Sequence, residues 1–326
     1  FKTINICINI FFNIFFLLIC PELLNNPSAS NIIEIFYSPD ISVGYVFISN
    51  LIASGVTILM LAPEIKNNTK KFDKELFKKM LSYAWPILIA GIAFIINETA
   101  DKILIKYLLP KGVAMRELGI YSACYKLSIF MTLFVQAYRF AAEPFFFNQF
   151  KKPDSKQTYA IMLEFFVLFA LMIFLFVVLY IDIIKLIIPN QLYHEGIIII
   201  PIVLMANIFL GIYYNLSVWY KVTNRTKYAA IISLCGATST IILNLIFIPL
   251  YGYIAAAWTT LACYIIMTIL SFYWGQKNFK ISYNIRSVIK CFCVAISLFL
   301  ASKLFKQAYF NIQIDNTIIF LIYLIF

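Results

Sequence analysis

The chain is 326 residues long, 63% hydrophobic and only 13% charged, with a formal net charge of +11. This composition excludes an ordinary soluble domain, which could not bury so much apolar surface. No P-loop, GxGxxG or GxSxG motif occurs, and no soluble stretch is long enough for a nucleotide-binding domain. Basic membrane loops explain the positive charge better than nucleic-acid binding does, so we expect no nucleic-acid partner.

Ten apolar stretches predict ten transmembrane helices, because about 20 helical residues cross the ~30 Å of membrane hydrocarbon. The predicted spans are 1–20, 41–63, 82–109, 119–146, 158–181, 196–219, 228–248, 253–274, 287–305 and 316 onward. The expected fold class is therefore all-α, a polytopic membrane helix bundle. The sequence starts at Phe1 and stops inside an apolar run, so we expect a fragment of a longer protein.

The loops between these spans alternate between two sides of the membrane, and their basic residues are unequally distributed. One set holds 16 Lys and Arg residues: 66–80, 151–156, 221–227 and 275–290. The other set holds 5: 21–40, 110–118, 182–195, 249–252 and 302–315. Because cytoplasmic loops carry the excess of basic residues, the first set is predicted to face the cytoplasm.

The segment KNNTKKFDKELFKKM, residues 66–80, is the only strongly charged stretch. Phe72, Leu76 and Met80 recur at i, i+4 and i+8 among lysines, which predicts a short helix on the cytoplasmic face. A solvated linker is the alternative. In both cases the segment divides the spans before it from the six that follow between 81 and 274.

Cysteine and histidine give no sign of a metal site or a disulfide framework. The seven Cys residues lie in or at the edges of apolar helices, where small core-filling residues are expected. The single histidine, His194, has no Cys or His partner at metal-ligand spacing. We therefore expect neither a metal nor a cofactor.

The stretch FIINETADKILIKYLLP, residues 94–110, places charges inside a predicted span. Glu98 and Lys102 stand at i, i+4 and can pair on one helix face, beside Asn97 and Asp101, which are also i, i+4. A central charge costs on the order of 3 kcal/mol in a membrane, so this polar stripe should face the bundle interior or a water-filled cavity. A structural ion pair is the alternative to a functional cavity.

The stretch FVQAYRFAAEPFFFNQF repeats this pattern in the next span. Gln136, Arg139 and Glu143 follow one face at i, i+3 and i+7, and Pro144 is predicted to end or kink the helix. Lys126 is predicted as a further buried cation on the same span, roughly 140° around the helix from Arg139. Adjacent helices thus bring carboxylates and cations into one bundle, as transporters do, although Arg139 and Glu143 could be a purely structural clasp.

The stretch GATSTIILNLIFIPLYGYIAAAWTTLACY, residues 236–264, resembles a helix pair of the polysaccharide flippases in the multidrug/oligosaccharidyl-lipid/polysaccharide exporter superfamily. The matching residues are Gly236, Ala237, Leu243, Asn244, Ile248, Pro249, Tyr251, Gly252, Ala256, Ala257, Thr259 and Tyr264. The stretches NETADKILI and YRFAAEPFFF also look like segments of these flippases, especially the lipopolysaccharide (O-antigen) type. The motif itself serves packing: Pro249 and Gly252 make an outer turn, and Ala255–Ala257 allow close helix approach.

The resemblance implies flippase or MATE-like lobes. Residues 1–65 would be the last two helices of the N-terminal lobe, 66–80 the linker, 81–274 a six-helix C-terminal lobe, and 275–326 a trailing pair. The implied function is translocation of an undecaprenyl-diphosphate-linked oligosaccharide across the bacterial inner membrane by alternating access, without enzymatic chemistry. Arg139 and Lys126 would neutralise the diphosphate, and Glu98 and Asp101 would bind a coupling cation or tune the cavity.

The implied partners are the lipid-linked oligosaccharide, membrane lipids, a polysaccharide polymerase and glycosyltransferases. Two other functions stay open from sequence alone. A cation-coupled multidrug exporter of the same superfamily would have a carboxylate-dominated cavity. A membrane polymerase or acyltransferase would need a large outer loop or a catalytic histidine, and here the longest outer loop, 21–40, is short and His194 is alone.

Overall fold

The computed structural model describes residues 1–24, 37–66, 73–188 and 190–308. Within these ranges every regular element is helical and there is no strand. The chain divides into two compact units, Phe1–Lys74 and Glu75–Phe326. The boundary between them falls within the basic segment 66–80.

The first unit contains two long helices, α1 (Lys2–Leu24) and α2 (Tyr45–Lys66). The rings of Phe16 and Tyr37 both stack on the ring of Tyr45, each with centroids 4.8 Å apart. At the other end of the pair, the Asn5 side-chain amide donates a hydrogen bond of 2.9 Å to the Thr57 hydroxyl. Aromatic stacking and a polar bridge thus fix the two apolar helices against each other.

Within the described residues the second unit is a helical bundle, which contains the four-residue helix Ile181–Ile184 and eight further helices. These eight are α3 (Lys74–Leu108), α4 (Lys111–Leu127), α5 (Ile129–Gln149), α6 (Ser155–Leu179), α7 (Ile200–Leu216), α8 (Val218–Val222), α9 (Lys227–Asn278) and α10 (Ile285–Ala308). A 3-10 segment, Gln191–Ile199, precedes α7. Helix α7 packs against both α6 and α9, and α10 packs on α6. Because α6 and α7 are the most apolar and most buried elements, they form the centre of the core.

Helix α9 is interrupted at Gly252, where φ is +60° and ψ is −143°. Its 52 residues would extend ~78 Å as one helix, more than twice the hydrocarbon thickness, so the break produces two spans. The two arms pack closely: a Cβ at Gly236 would lie 2.5 Å from the Met267 sulfur. The turn is held from outside α9, since the Glu117 carboxylate accepts the Tyr253 backbone N–H at 2.9 Å.

The predicted all-α membrane bundle is confirmed. Among the described residues, seven helices are long and apolar enough to span a membrane, and α4 with α5, which meet at 53°, count as an eighth span if taken together. Dividing α9 at Gly252 gives nine, and each corresponds to one of the first nine predicted spans. The tenth, from 316 onward, lies outside the described residues.

Three local predictions differ from the structure. Residues 111–118, predicted as loop, are the first turns of α4, because Ala, Met, Glu and Leu there favour helix and Pro110 precedes the first turn. Pro144 does not end its helix, since α5 continues to Gln149; neighbouring helices make an interior proline tolerable in such a bundle. Residues 74–80 are the first turns of the long helix α3, not a separate surface helix, and 67–72 lie outside the described residues.

Candidate functional site

A cavity of about 290 Å³ opens in the second unit between α3, α5, α7, α8 and the start of α9. One wall comes from a single face of α3, where lining residues recur every three or four positions. Hydroxyl groups and aromatic rings cover most of the remaining surface. The polar and aromatic lining residues are Tyr83, Phe94, Phe147, Tyr213, Tyr214, Ser217, Tyr220 and Ser233.

Three charged side chains meet on the cavity wall and share one carboxylate oxygen. Glu143 Oε1 accepts from Arg139 Nε at 3.2 Å and from Lys221 Nζ at 2.5 Å. The guanidinium also lies over the Tyr214 ring, 4.6 Å from its centroid, in a cation–π contact. Two cations and one carboxylate leave this cluster with a net charge of +1. We call Arg139, Glu143 and Lys221 the cavity cluster.

Replacing Glu143 with glutamine should destabilise the protein, because Arg139 and Lys221 would then face each other without their shared carboxylate. The three side chains are 18–35% exposed, so we expect a loss of about 1–2 kcal/mol, between the values for surface and buried pairs. Adding Lys221→Gln should restore at least half of the loss, measured by thermal unfolding in detergent. The control is Asp182→Asn, which removes a more exposed pair with Lys185. Equal effects from Glu143→Gln and Asp182→Asn would contradict a shared electrostatic cluster.

The structure brings together only part of the predicted site. Arg139 and Glu143 line the cavity, whereas Gln136, half-buried on the same helix, does not. Lys126 is exposed on α4 and is not among the lining residues. Lys221 was predicted to be a cytoplasmic loop residue and is instead a member of the cavity cluster. The sequence feature that could have predicted this role is the position of Lys221 directly after the apolar run YYNLSVWY, at the same end of the membrane as Glu143.

The carboxylates of α3 lie in a second network, which we call the tyrosine network. Glu98 accepts hydrogen bonds from the hydroxyls of Tyr125, at 3.2 Å, and Tyr264. Asp101, only 1% exposed, accepts from the Tyr121 hydroxyl and from a backbone N–H. Three tyrosine hydroxyls on α4 and α9 therefore stabilise two carboxylates that neighbouring helices shield from lipid.

The predicted side-chain pair of Glu98 and Lys102 does not form. Lys102 Nζ donates instead to the Glu98 backbone carbonyl at 2.7 Å and lies 3.7 Å from Asp101 Oδ1 and 4.5 Å from the Tyr125 ring centroid. The tyrosine hydroxyls occupy the Glu98 carboxylate, so the lysine takes other acceptors. Asn97 is 2% exposed and accepts from the Thr240 hydroxyl at 3.0 Å, as an interhelical hydrogen bond.

The cavity of about 290 Å³, as lined by the described residues, contains only one of the two predicted charge clusters. None of the four α3 residues, 97, 98, 101 and 102, lines the cavity. Glu98 nevertheless follows the cavity-lining Phe94 by four residues and lies on the same face of α3, one turn beyond it. The tyrosine network is thus adjacent to the cavity along the helix and separate from it.

Replacing Tyr121 with phenylalanine should leave the buried Asp101 carboxylate without a hydroxyl donor. A buried acceptor that loses its partner costs about 1–3 kcal/mol, so we expect a lower unfolding temperature in detergent. The matched control is Tyr273→Phe, because Tyr273 is 62% exposed. If both variants unfold at the same temperature, the hydrogen bond to Asp101 does not contribute to stability.

Comparison with solved structures shows which known fold the chain has. A solved structure titled "Lipid II flippase MurJ, inward closed conformation" superposes with a TM-score of 0.63 at 18% identity, covering 96% of this chain and 65% of that one. A MATE family multidrug resistance transporter of the MOP superfamily, in the outward-facing conformation, gives 0.50 at 14% identity, with 72% and 57% covered. A MOP superfamily transporter from Pyrococcus furiosus, whose title reports reverse polarity of the binding pocket, gives 0.50 at 15%, with the same coverage. The chain has the fold of this exporter superfamily.

Residues 35–150 match the family described as "Polysaccharide biosynthesis protein". The predicted resemblance to flippases of this superfamily is therefore confirmed, and the chain is a multi-pass membrane protein. The match ends just after α5 and includes both Arg139 and Glu143. No curated protein sequence matches the chain. The chain spans 65% of the flippase structure and 57% of each of the two transporters.

Proposed function

We propose that the protein moves a lipid-linked oligosaccharide, carried on undecaprenyl diphosphate, from the cytoplasmic to the outer leaflet of the bacterial inner membrane. The product would supply a surface polysaccharide of the O-antigen or lipopolysaccharide type. The observation that carries this proposal is the cavity cluster, in which two cations share one carboxylate on a hydroxyl-lined wall. The match to the polysaccharide biosynthesis family over residues 35–150, which include Arg139 and Glu143 of this cluster, supports it.

The cluster suits a diphosphate. A guanidinium offers paired N–H donors for phosphate oxygens, and Lys221 adds a compact positive charge beside it. An arriving diphosphate would compete with Glu143 for both cations, so the carboxylate keeps them oriented while the cavity is empty. The Tyr and Ser hydroxyls and the aromatic faces of the wall suit the first sugar.

The size of the cavity limits what it holds. A volume of about 290 Å³ is at the lower end for a drug-sized ligand, enough for a diphosphate and an adjoining sugar. We propose that the polyprenyl chain stays in lipid while the head group passes by alternating access. The remaining glycan would occupy space outside this cavity.

The tyrosine network supports a further part of the proposal. Glu98 and Asp101 would take up a coupling cation or a proton, since they are carboxylates located among neighbouring helices, and the cation or proton would compete with the tyrosine hydroxyls that now donate to them. Membrane potential would contribute about 2.3 kcal/mol per charge per 100 mV. Polysaccharide polymerase and glycosyltransferases would act beside the flippase, and genes for them in the neighbourhood would support this assignment.

The test is transport by the intact protein in liposomes. One set of liposomes carries a fluorescent undecaprenyl-diphosphate oligosaccharide and a second set receives a cationic dye. We expect movement of the lipid-linked sugar between leaflets and no dye transport, because the cavity has an excess of positive charge. Dye transport without sugar movement would contradict the flippase and favour the multidrug exporter. Covalent change of the glycan would favour a polymerase or acyltransferase.

A further inference from the structure

A second polar cavity, of about 330 Å³, lies where the first turns of α3 meet the connection between α8 and α9. Three cations line it, Lys79, Arg225 and Lys227, together with the polar residues Ser82 and Thr226. No carboxylate is among the lining residues. The cavity therefore has three positive charges and hydroxyl donors, which is the chemistry that binds a phosphate group.

The backbone around this cavity is fixed by local hydrogen bonds. Asn224 adopts a left-handed conformation, with φ of +59°, and directs the chain from α8 into α9. The Arg225 backbone N–H then donates to the Tyr220 carbonyl at 2.7 Å, and its guanidinium donates to the Asn278 side-chain oxygen. Arg225 is thus anchored at two points and retains further N–H donors.

The other two cations are available for a ligand. Lys79 and Lys227 are exposed, and neither forms an ion pair with a carboxylate in the part of the chain that the structure describes. Lys227 is also the first residue of α9, and the cap side chain of Thr226 makes no capping hydrogen bond. The positive end of the α9 dipole adds to the charge of the side chains.

An apolar cavity of about 560 Å³ adjoins the polar one and shares Lys79, Tyr83 and Asn224 with it. Its other walls are apolar residues of α3, among them Phe77, Met80 and Leu81. These three side chains are 48%, 62% and 50% exposed. A cationic pocket with room for a phospholipid head group thus continues directly into a groove that suits a hydrocarbon chain.

From this juxtaposition we propose a binding site for an anionic membrane phospholipid. The phosphate head group occupies the pocket of Lys79, Arg225 and Lys227, and an acyl chain lies along Phe77, Met80 and Leu81. The sequence predicts that this end of the bundle faces the cytoplasm, where anionic lipids attract basic residues. The site differs from the cavity cluster, with which it shares only Tyr83 among its lining residues, and it does not rest on the transport proposal.

The experiment measures lipid binding to the intact protein in neutral detergent by native mass spectrometry. Phosphatidylglycerol is compared with phosphatidylcholine of the same acyl chains, and with soluble glycerol 3-phosphate. We expect the double variant Lys79→Gln, Lys227→Gln to bind phosphatidylglycerol about 30-fold more weakly, from the loss of two surface cations. The control variant Lys151→Gln, Lys152→Gln removes the same charge from an exposed turn outside the site and should change binding less than threefold.

Binding of the other ligands also tests the proposed phospholipid site. Glycerol 3-phosphate should bind far more weakly than phosphatidylglycerol because it lacks acyl chains; equal binding would remove the apolar groove from the proposal. Equal affinity of the unmodified protein for phosphatidylglycerol and phosphatidylcholine would overturn it. If undecaprenyl phosphate binds this pocket more tightly than phosphatidylglycerol, and the double variant abolishes that binding, the phospholipid assignment is wrong. Circular dichroism of both variants verifies that they are folded.

Discussion

We expect the Arg139→Ala variant to lose surface polysaccharide while the protein stays in the membrane at its normal level. Arg139 is the one residue of the cavity cluster that offers paired N–H donors to a diphosphate, and it is already oriented by Glu143 and Tyr214. Removing a charge-assisted contact of this kind costs roughly 2–5 kcal/mol of binding, or at least tenfold in transport. The measurement is surface polysaccharide by immunoblot, with membrane abundance of the protein measured in parallel.

Two further variants separate a role in binding from a loss of charge alone. Arg139→Lys keeps the charge and loses the paired donors, so it should restore only part of the polysaccharide. Lys126→Ala removes a cation from the preceding helix, where the side chain is exposed and outside the cavity, and should leave polysaccharide unchanged. Normal polysaccharide in Arg139→Ala would remove this residue from the proposed mechanism. Loss in Lys126→Ala equal to that in Arg139→Ala would show that the cavity has no special role.

The second large effect is expected at the turn that divides α9. Gly252→Ala should destabilise the protein by roughly 3–5 kcal/mol, because three costs combine there. A side chain is strained at φ +60° and ψ −143°, and its Cβ would lie 2.2 Å from a Glu117 carboxylate oxygen. Displacing that carboxylate would also break its hydrogen bond to the Tyr253 N–H. Thermal unfolding in detergent measures the loss.

The control for this substitution is Gly112→Ala, since a Cβ at Gly112 meets no atom within 4 Å and lies in a helix. It should be neutral or slightly stabilising. Combining Gly252→Ala with Glu117→Ala removes the clash and leaves the backbone strain, so part of the stability should return. If Gly252→Ala unfolds at the same temperature as Gly112→Ala, the turn does not depend on glycine.

The membrane spans could be predicted because apolar length is a local property. Each of the first nine predicted spans has its helical counterpart, including the pair divided at Gly252. The extension of α4 to Lys111 was missed because its first turns are amphipathic, and hydropathy gives them no signal. The helix propensity of residues 113–118, VAMREL, was the feature of the sequence that could have predicted this extension. Pro144 was predicted to end or kink its helix; the ending is wrong because a rule derived from isolated helices does not include neighbouring helices, and the kink stays a prediction.

In the candidate site, sequence spacing predicted the contacts within one helix and missed those between distant residues. The contact of Arg139 with Glu143 follows from i, i+4 spacing on one helix, which the sequence displays directly. Lys221 approaches the same carboxylate from 78 positions away, and spacing cannot show that. Glu98 was assigned to Lys102 by the same local rule, yet Tyr264, 166 positions away, takes its carboxylate. At Glu98 a distant donor replaced the expected local pair, whereas at Glu143 a distant donor joined a local pair that remains.

The bend at Ser128 divides one span into two shorter helices, α4 and α5. Its hydroxyl and its N–H both bond the Tyr125 carbonyl, at 2.6 and 3.1 Å, so the regular helical ladder stops there. Helix α4, before the bend, is hydrogen-bonded to α3 through Tyr121 and Tyr125, whereas helix α5, after the bend, contains Arg139. Under the proposed function, a head group bound at Arg139 would therefore move α5 about Ser128 without breaking the hydrogen bonds between α4 and α3.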